Sequence, residues 1–302
     1  MIKREFLKLG AATALAGQFA STKTAAQAGD LSITIRWLGG ATMEITVGEI
    51  RFLTDPCFGE GPRAFQMADP NEKFDPAQGP TISPHARLTP FPGLSSDKFD
   101  AVLLSHGHED HFDELARLWL GDNFPLICPV HDAQQMIGYG LDVMPLDHGS
   151  GFEIERGNSH VKITAIPAIH STSPSIADFI GRGNGYFLEA RVAEKTRNIY
   201  WTGDTFMVEE IRHALSNLPA PGLFIPHLGA VGRTGTFGQL SLNAKQAIHG
   251  ARTIGAGHVL PIHHSTFSLY QEPVEAIITE HSKLVPEWFD LTVLNEGAAL
   301  QL

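Results

Sequence analysis

Ala101-Val102-Leu103-Leu104-Ser105 runs directly into His106-Gly107-His108-Glu109-Asp110-His111, and this stretch decides how the chain is read. The apolar run has the length and continuity of a strand buried on both faces. Three imidazoles and a carboxylate, His106, His108, His111 and Asp110, follow at once. A turn beyond a strand end can aim His106 and His108 at one cation, and Asp110 and His111 at another, which predicts a dinuclear site. From composition, an H-x-H-x-D-H pattern arises by chance in about one such chain in five hundred.

Working outward, residues 33–37, 41–47 and 50–54 read as short strands separated by Gly39-Gly40 and Gly48-Glu49, an antiparallel meander. From Pro56 to Pro92 there are eight prolines with scattered Phe65, Phe74 and Phe91 and no sustained period, so a long loop is expected, of the kind that rims a site. Beyond the motif come a helix over 112–120, a strand over 126–128, a helix over 132–139 and a strand over 161–167. The second half repeats strand, polar turn and helix: strands over 198–202, 223–226, 258–262 and 291–294, and helices over 208–216, 241–254 (with Ser241 as its N-cap) and 274–284. Strands first and then alternating strands and helices, with no dividing linker, indicate a single α/β sandwich with its helices outside, spanning residues 29–302.

The first 28 residues differ in kind. Lys3-Arg4-Glu5-Phe6-Leu7-Lys8 is a basic start, Leu9 to Ala20 is small and apolar, and Ala26-Gln27-Ala28 has the form of a cleavage site, so residues 1–28 are expected to be an export signal. The Lys-Arg-x-Phe-Leu-Lys order is similar to the twin-arginine type with Lys in place of the first Arg, and it points to a periplasmic protein. No segment carries the eighteen or more apolar residues of a membrane span, so no stable membrane insertion of the mature chain is expected. The formal net charge is -11, and removing Lys3, Arg4, Lys8 and Lys23 against Glu5 makes the remainder more acidic still. Nucleic acid is therefore excluded as a partner, because polyanion binding depends on clustered Lys and Arg. Two cysteines, Cys57 and Cys128, give no disulfide framework; they are expected to be two separately buried thiols, with pairing the alternative in an oxidising compartment.

Metal-ligand residues stand just past the ends of four expected strands: His106 to His111, then His170, Asp204 and His263. Sites in α/β sheets collect at such strand ends. Here the chain resembles the metallo-β-lactamase fold superfamily, whose hallmark is His-x-His-x-Asp-His with a distal His, a bridging Asp and a final His. Leu53-Thr54-Asp55-Pro56, Ser105 to Asp113, Thr202-Gly203-Asp204-Thr205 and Pro261-Ile262-His263-His264-Ser265-Thr266-Phe267 are similar to the branch containing N-acyl-phosphatidylethanolamine phospholipase D and ascorbate-6-phosphate lactonase. The resemblance implies a four-layer αββα sandwich of two mixed β-sheets with outer helices. It implies that His106, His108 and His170 bind a first metal, that Asp110, His111 and His263 bind a second, and that Asp204 bridges them. Two divalent ions are then the expected cofactors, zinc foremost with manganese and iron as competitors for the same donors. They would supply a metal-bound hydroxide, with Asp110 as the catalytic group that orients it.

Asp55, Ser105 and Thr205 are candidates to hold the ligands in place, since a ligating imidazole needs an acceptor for its other N–H. His227, after Phe224-Ile225-Pro226, stands at a further strand end and could support the ligands or contact substrate, and so could His264, adjacent to His263. The expected function is an exported hydrolase acting on an ester-like bond of a small molecule: a lactone, phosphodiester or amide. The alternative is a non-catalytic metal or small-ligand binding protein on the same fold. No phosphate-clamping Arg is evident, although Arg182 or Arg233 could reach, and the phenylalanines of the Pro-rich loop suggest an apolar group in the substrate.

Overall fold

The computed structural model describes residues 32–286 and 288–302. The segment expected to be an export signal, residues 1–28, lies outside the described residues. In chain order, β1 (Ile33–Gly39), β2 (Thr42–Val47) and β3 (Ile50–Thr54) are followed by a small hairpin of β4 (Phe65–Ala68) and β5 (Ile82–His85). Next come β6 (Ala101–Leu103), α1 (Glu114–Leu120), β7 (Leu126–Pro129), α2 (Val130–Gly138) and β8 (Val143–Leu146). The second half runs through β9 (Gly151–Arg156), β10 (Ser159–Ile169), α3 (Pro174–Ile180), β11 (Arg182–Val192), β12 (Lys195–Trp201) and α4 (Glu209–Leu215). It finishes with β13 (Leu223–Ile225), α5 (Ala244–Thr253), β14 (His258–Val259), α6 (Glu275–His281), β15 (Asp290–Leu291) and β16 (Ala299–Gln301).

The strands form two seven-stranded sheets, ordered β16-β1-β2-β3-β6-β7-β8 and β15-β14-β13-β12-β11-β10-β9. Both are mixed: β3, β6, β7 and β8 run parallel, as do β12 to β15, and the remaining pairs are antiparallel. Side chains alternate across each strand, so every sheet buries two faces. Trp37, Met43 and Phe52 of the first sheet meet Tyr186, Trp201 and Ile225 of the second in the central core. Tyr200 and Phe224 point the other way, onto Ile211 of α4, Ala247 of α5 and Ile277 of α6. Val102 and Leu126 likewise face Ala116 and Leu120 of α1 and Met136 of α2. The result is the expected four-layer αββα sandwich.

Local details differ from the sequence expectation. The Pro-rich stretch is not structureless: Phe65 in β4 pairs with His85 in β5, and the hairpin packs on Cys57, Phe267 and Leu269 in a separate small core. The 161–167 strand is the centre of a longer one, β10, hydrogen-bonded along its whole length to β11. Arg182-Gly183-Asn184-Gly185 at the start of β11 has the composition of a turn. Its glycines serve close approach instead, since a Cβ on Gly183 would lie 2.7 Å from the Ser105 carbonyl oxygen. Ser241 does not cap α5: Asn243 does, in a reciprocal capping box with Gln246, while the Ser241 hydroxyl donates to Leu228 O.

Candidate metal centre

The parallel strands explain why residues far apart in sequence meet. β3 and β6 are adjacent and parallel in one sheet and release Asp55 and Ser105-His106 at the same edge. β12, β13 and β14 are neighbours and parallel in the other, followed by Asp204, His227 and His263. His170 arrives at the end of β10, where the Ile169 amide donates to the Thr205 hydroxyl at 2.8 Å and ties that strand end to the Asp204 turn. His106, His108 and His170 each offer a ring nitrogen within 4.8 Å of the others, and His111, Asp204, His227 and His263 make a second such group. The groups adjoin, with the His106 and His111 ring centroids 4.0 Å apart. Asp110 Oδ2 lies 3.5 Å from His263 Nε2 and 3.7 Å from His111 Nε2.

Hydrogen bonds set which nitrogen of each ring is free. The Asp55 carboxylate accepts from the Ser105 amide and hydroxyl, both at 2.6 Å, and faces His111 Nδ1 at 2.7 Å. A carboxylate only accepts, so Nδ1 of His111 carries a proton and Nε2 is the nitrogen turned to the centre; there Asp110 and Asp204 raise the imidazole well above its ordinary range against the effect of burial, and Nε2 must give up its proton to bind a cation. The Ser105 hydroxyl, having donated to Asp55, accepts from His106 Nδ1 at 3.0 Å, which leaves His106 Nε2 bare. His263 Nδ1 donates to the Leu228 carbonyl at 3.0 Å with the same consequence. His111 Nε2 and His263 Nε2 are buried without a hydrogen-bond partner among the described residues, and His106 Nε2 sits at hydrogen-bond distance, 3.0 Å, from His170 Nε2. Ring nitrogens and carboxylates converging in this way suit a cation.

His227 differs from its neighbours. Its Nε2 accepts the Trp201 indole N–H at 2.7 Å and its Nδ1 donates to Asp204 Oδ1 at 2.8 Å, so neither nitrogen is free and the ring holds Asp204 in place. Burial drives the His227 and His170 imidazoles down to about 3, and burial with the adjoining His111 and His170 drives His106 well below its ordinary range. These rings are neutral at physiological pH, the form that binds metal. Burial alone would raise Asp110, but His111 and His263 outweigh it and hold the carboxyl at about 2. Asp204 is held well below its usual range by His263 and His111 in the same way, against burial.

Other sequence candidates sort plainly. His264 is buried against the Trp37 ring, 4.6 Å between centroids, and belongs to neither imidazole group. Cys57 and Cys128 are free buried thiols in different parts of the core. A cavity of about 450 Å³ opens onto His108, Asp110, His170 and Asp204. Of the Pro-rich phenylalanines only Phe74 lines it; Phe65 stacks on His85, and Phe91 packs against Phe58 with the rings tilted. Neither Arg182 nor Arg233 reaches the cavity wall. Phe179 and Phe237, which do, carry no signal in the sequence beyond standing as single aromatics among polar and glycine-rich neighbours.

Residues 50–264 match the model of the β-lactamase superfamily domain, and the chain belongs to that family. It is 24% identical over 266 residues to a UPF0173 metal-dependent hydrolase of Methanobrevibacter smithii, covering 87% of this chain and 94% of that one. Among solved structures, it is similar to a possible metal-dependent hydrolase from Veillonella parvula at TM-score 0.69 and 18% identity, covering 90% of this chain and 100% of that one. It is also similar to an isothiocyanate hydrolase from Delia radicum gut bacteria at TM-score 0.67 and 18% identity, covering 89% and 98%. These likenesses agree with the αββα fold.

Proposed function

We propose that this chain is a metal-dependent hydrolase with two divalent cations at the meeting point of its sheets. His106, His108 and His170 would hold the first, Asp110, His111 and His263 the second, and Asp204 would serve both. The observation that carries this reading is the set of Nε2 atoms of His106, His111 and His263, each turned to the centre because Nδ1 is tied to an acceptor. Imidazole and carboxylate donors suit zinc, and manganese and iron compete for them. Divalent cations held there would make hydroxide available near neutral pH and polarise a carbonyl or phosphoryl oxygen.

The chain's own groups do the rest. Asp110 is ionised at neutral pH and lines the cavity, so its carboxylate can accept a proton from an attacking water and orient the nucleophile toward a bound substrate. Asp55, through Ser105 and His111, fixes two imidazole tautomers at once, and His227 fixes the Asp204 carboxylate. The resemblance of the Asp55, Ser105 to Asp113, Asp204 and His263 motifs to the N-acyl-phosphatidylethanolamine phospholipase D and ascorbate-6-phosphate lactonase branch supports an ester-like scissile bond in a small molecule. Export to the periplasm belongs to the same proposal and rests on the pattern of residues 1–28.

The test is a substrate panel run on chain reconstituted with zinc or manganese: lactones, carboxylic esters, amides, phosphodiesters, a β-lactam and, because a structurally similar protein is an isothiocyanate hydrolase, an aryl isothiocyanate. Turnover that chelator abolishes and added metal restores is expected, with Asp110→Asn losing turnover while metal is still bound. Metal binding with no turnover on any member would instead make the chain a binding protein.

A further inference from the structure

The cavity above the metal centre has a chemical character of its own. Phe74 from the segment between β4 and β5, Phe237 from the loop between β13 and α5, and Phe179 from α3 form one aromatic wall. Phe74 and Phe237 meet edge to face at 5.1 Å, and Phe179 lies 5.4 Å from Phe237. Ile82, Val231 and Leu240 extend the apolar lining. Two of the three segments are fastened together: the Phe74 amide donates to the Thr236 hydroxyl at 2.8 Å, and the Gly232 amide donates to Asn71 Oδ1 at 2.8 Å. The aromatic pair is thus part of a built pocket.

Charge in the pocket has one sign. Away from the metal-binding side chains, its ionisable lining residues are Asp69 and Glu109, and among the described residues no Lys or Arg lines it. Arg182 pairs with Glu210 at 3.0 Å, and Arg233 donates to the Gln271 carbonyl at 3.2 Å. A group seated beyond the centre therefore meets aromatic carbon and carboxylates. An anion there meets like charge and no cationic partner in the lining.

Building on the hydrolase reading, we propose that the site takes a neutral substrate whose scissile carbonyl carries an aromatic or medium-length acyl group, seated on Phe74, Phe179 and Phe237, and rejects substrates with an anionic acyl end. Water adds to the carbonyl carbon, the bond to the leaving oxygen or nitrogen breaks, and the leaving group departs with a proton. The product acid ionises beside Asp69 and Glu109, which favours its release.

The metal-loaded full chain is tested with 4-nitrophenyl acetate, hexanoate and octanoate, with the mono-4-nitrophenyl ester of adipic acid, and with bis(4-nitrophenyl) phosphate. Binding of the uncleavable 4-nitrophenyl hexyl ether is followed in parallel by calorimetry. From acetate to hexanoate, kcat/KM is expected to rise about fourfold per methylene, the worth of burying each one. Hexanoate is expected to exceed the adipate ester at least tenfold, and Asp69→Lys narrows that ratio. Phe179→Ala with Phe237→Ala weakens ether binding at least tenfold; Phe179 is 71% exposed, so its truncation leaves the core intact. Adipate or phosphate turned over as well as hexanoate, or ether binding indifferent to the double variant, overturns the proposal. Tight ether binding without turnover of any ester overturns the hydrolase reading alone.

Discussion

His227 Nδ1 donates to Asp204 Oδ1 at 2.8 Å, and the far side of the same ring is pinned by Trp201, whose indole N–H reaches Nε2 at 2.7 Å. The central core thus reaches the metal centre through one imidazole. Trp201 is fully buried between the sheets, His227 follows the next parallel strand, and the carboxylate between the two imidazole groups takes its orientation from both.

Replacing His227 by Ala leaves Asp204 Oδ1 without its donor. A loss of metal affinity of roughly 10- to 100-fold is expected, the usual effect of removing a group that orients a ligand. Competition with a chromophoric chelator measures it, and affinity equal to wild type would show that Asp204 needs no such support.

Asp55→Asn makes a sharper test than alanine. The amide nitrogen that the substitution introduces would face His111 Nδ1 as a donor, so the ring would flip tautomer and aim an N–H at the second cation. One divalent ion per chain should be lost with the fold retained, as read by elemental analysis together with far-UV circular dichroism.

Gly203 precedes Asp204 with φ of 60°, and a Cβ there would lie 2.8 Å from Asn184 O and 3.0 Å from Ser105 Cβ. Gly203→Ala adds about 1–2 kcal/mol of left-handed backbone cost to that crowding. A fall in Tm of several degrees with weakened metal binding is expected in thermal melts; a variant as stable as wild type contradicts the geometry.

The thiols give a pH-dependent prediction. Burial, with Asp132 nearby, pushes Cys128 up to about 12, and burial with Asp113 and Asp110 pushes Cys57 well above its ordinary value. Both pKa values move up, so the reactive thiolate is scarce at pH 8 and labelling rises only in strong alkali or on unfolding. Iodoacetamide should add nothing to the native chain at pH 8 and two adducts in denaturant, counted by mass spectrometry.

The site was more legible in the sequence than the fold's details, for a physical reason. His106 to His111 carry their chemistry in adjacent residues, and His170, Asp204 and His263 announce themselves as polar groups ending apolar strands. Asp55 was readable as a candidate because β3 and β6 are neighbours. The hydrogen-bond role of His227 was not, because it depends on Trp201 reaching across from the adjoining strand. β11 was hidden by Gly183 and Gly185, whose composition suggests a turn, while their missing side chains let the strand pass the loop that bears His106 at Gly183 and the backbone of Trp201 and Thr202 at Gly185. Phe179 and Phe237 lie on separate segments, and only tertiary packing brings them beside Phe74.

The central claim is that two cations bind where the sheets meet, and metal content tests it most directly. Elemental analysis of chain reconstituted with excess zinc or manganese and then desalted should give two ions per chain, falling to about one in His170→Ala and in His263→Ala. A folded wild-type chain that retains no divalent ion after reconstitution would contradict the account.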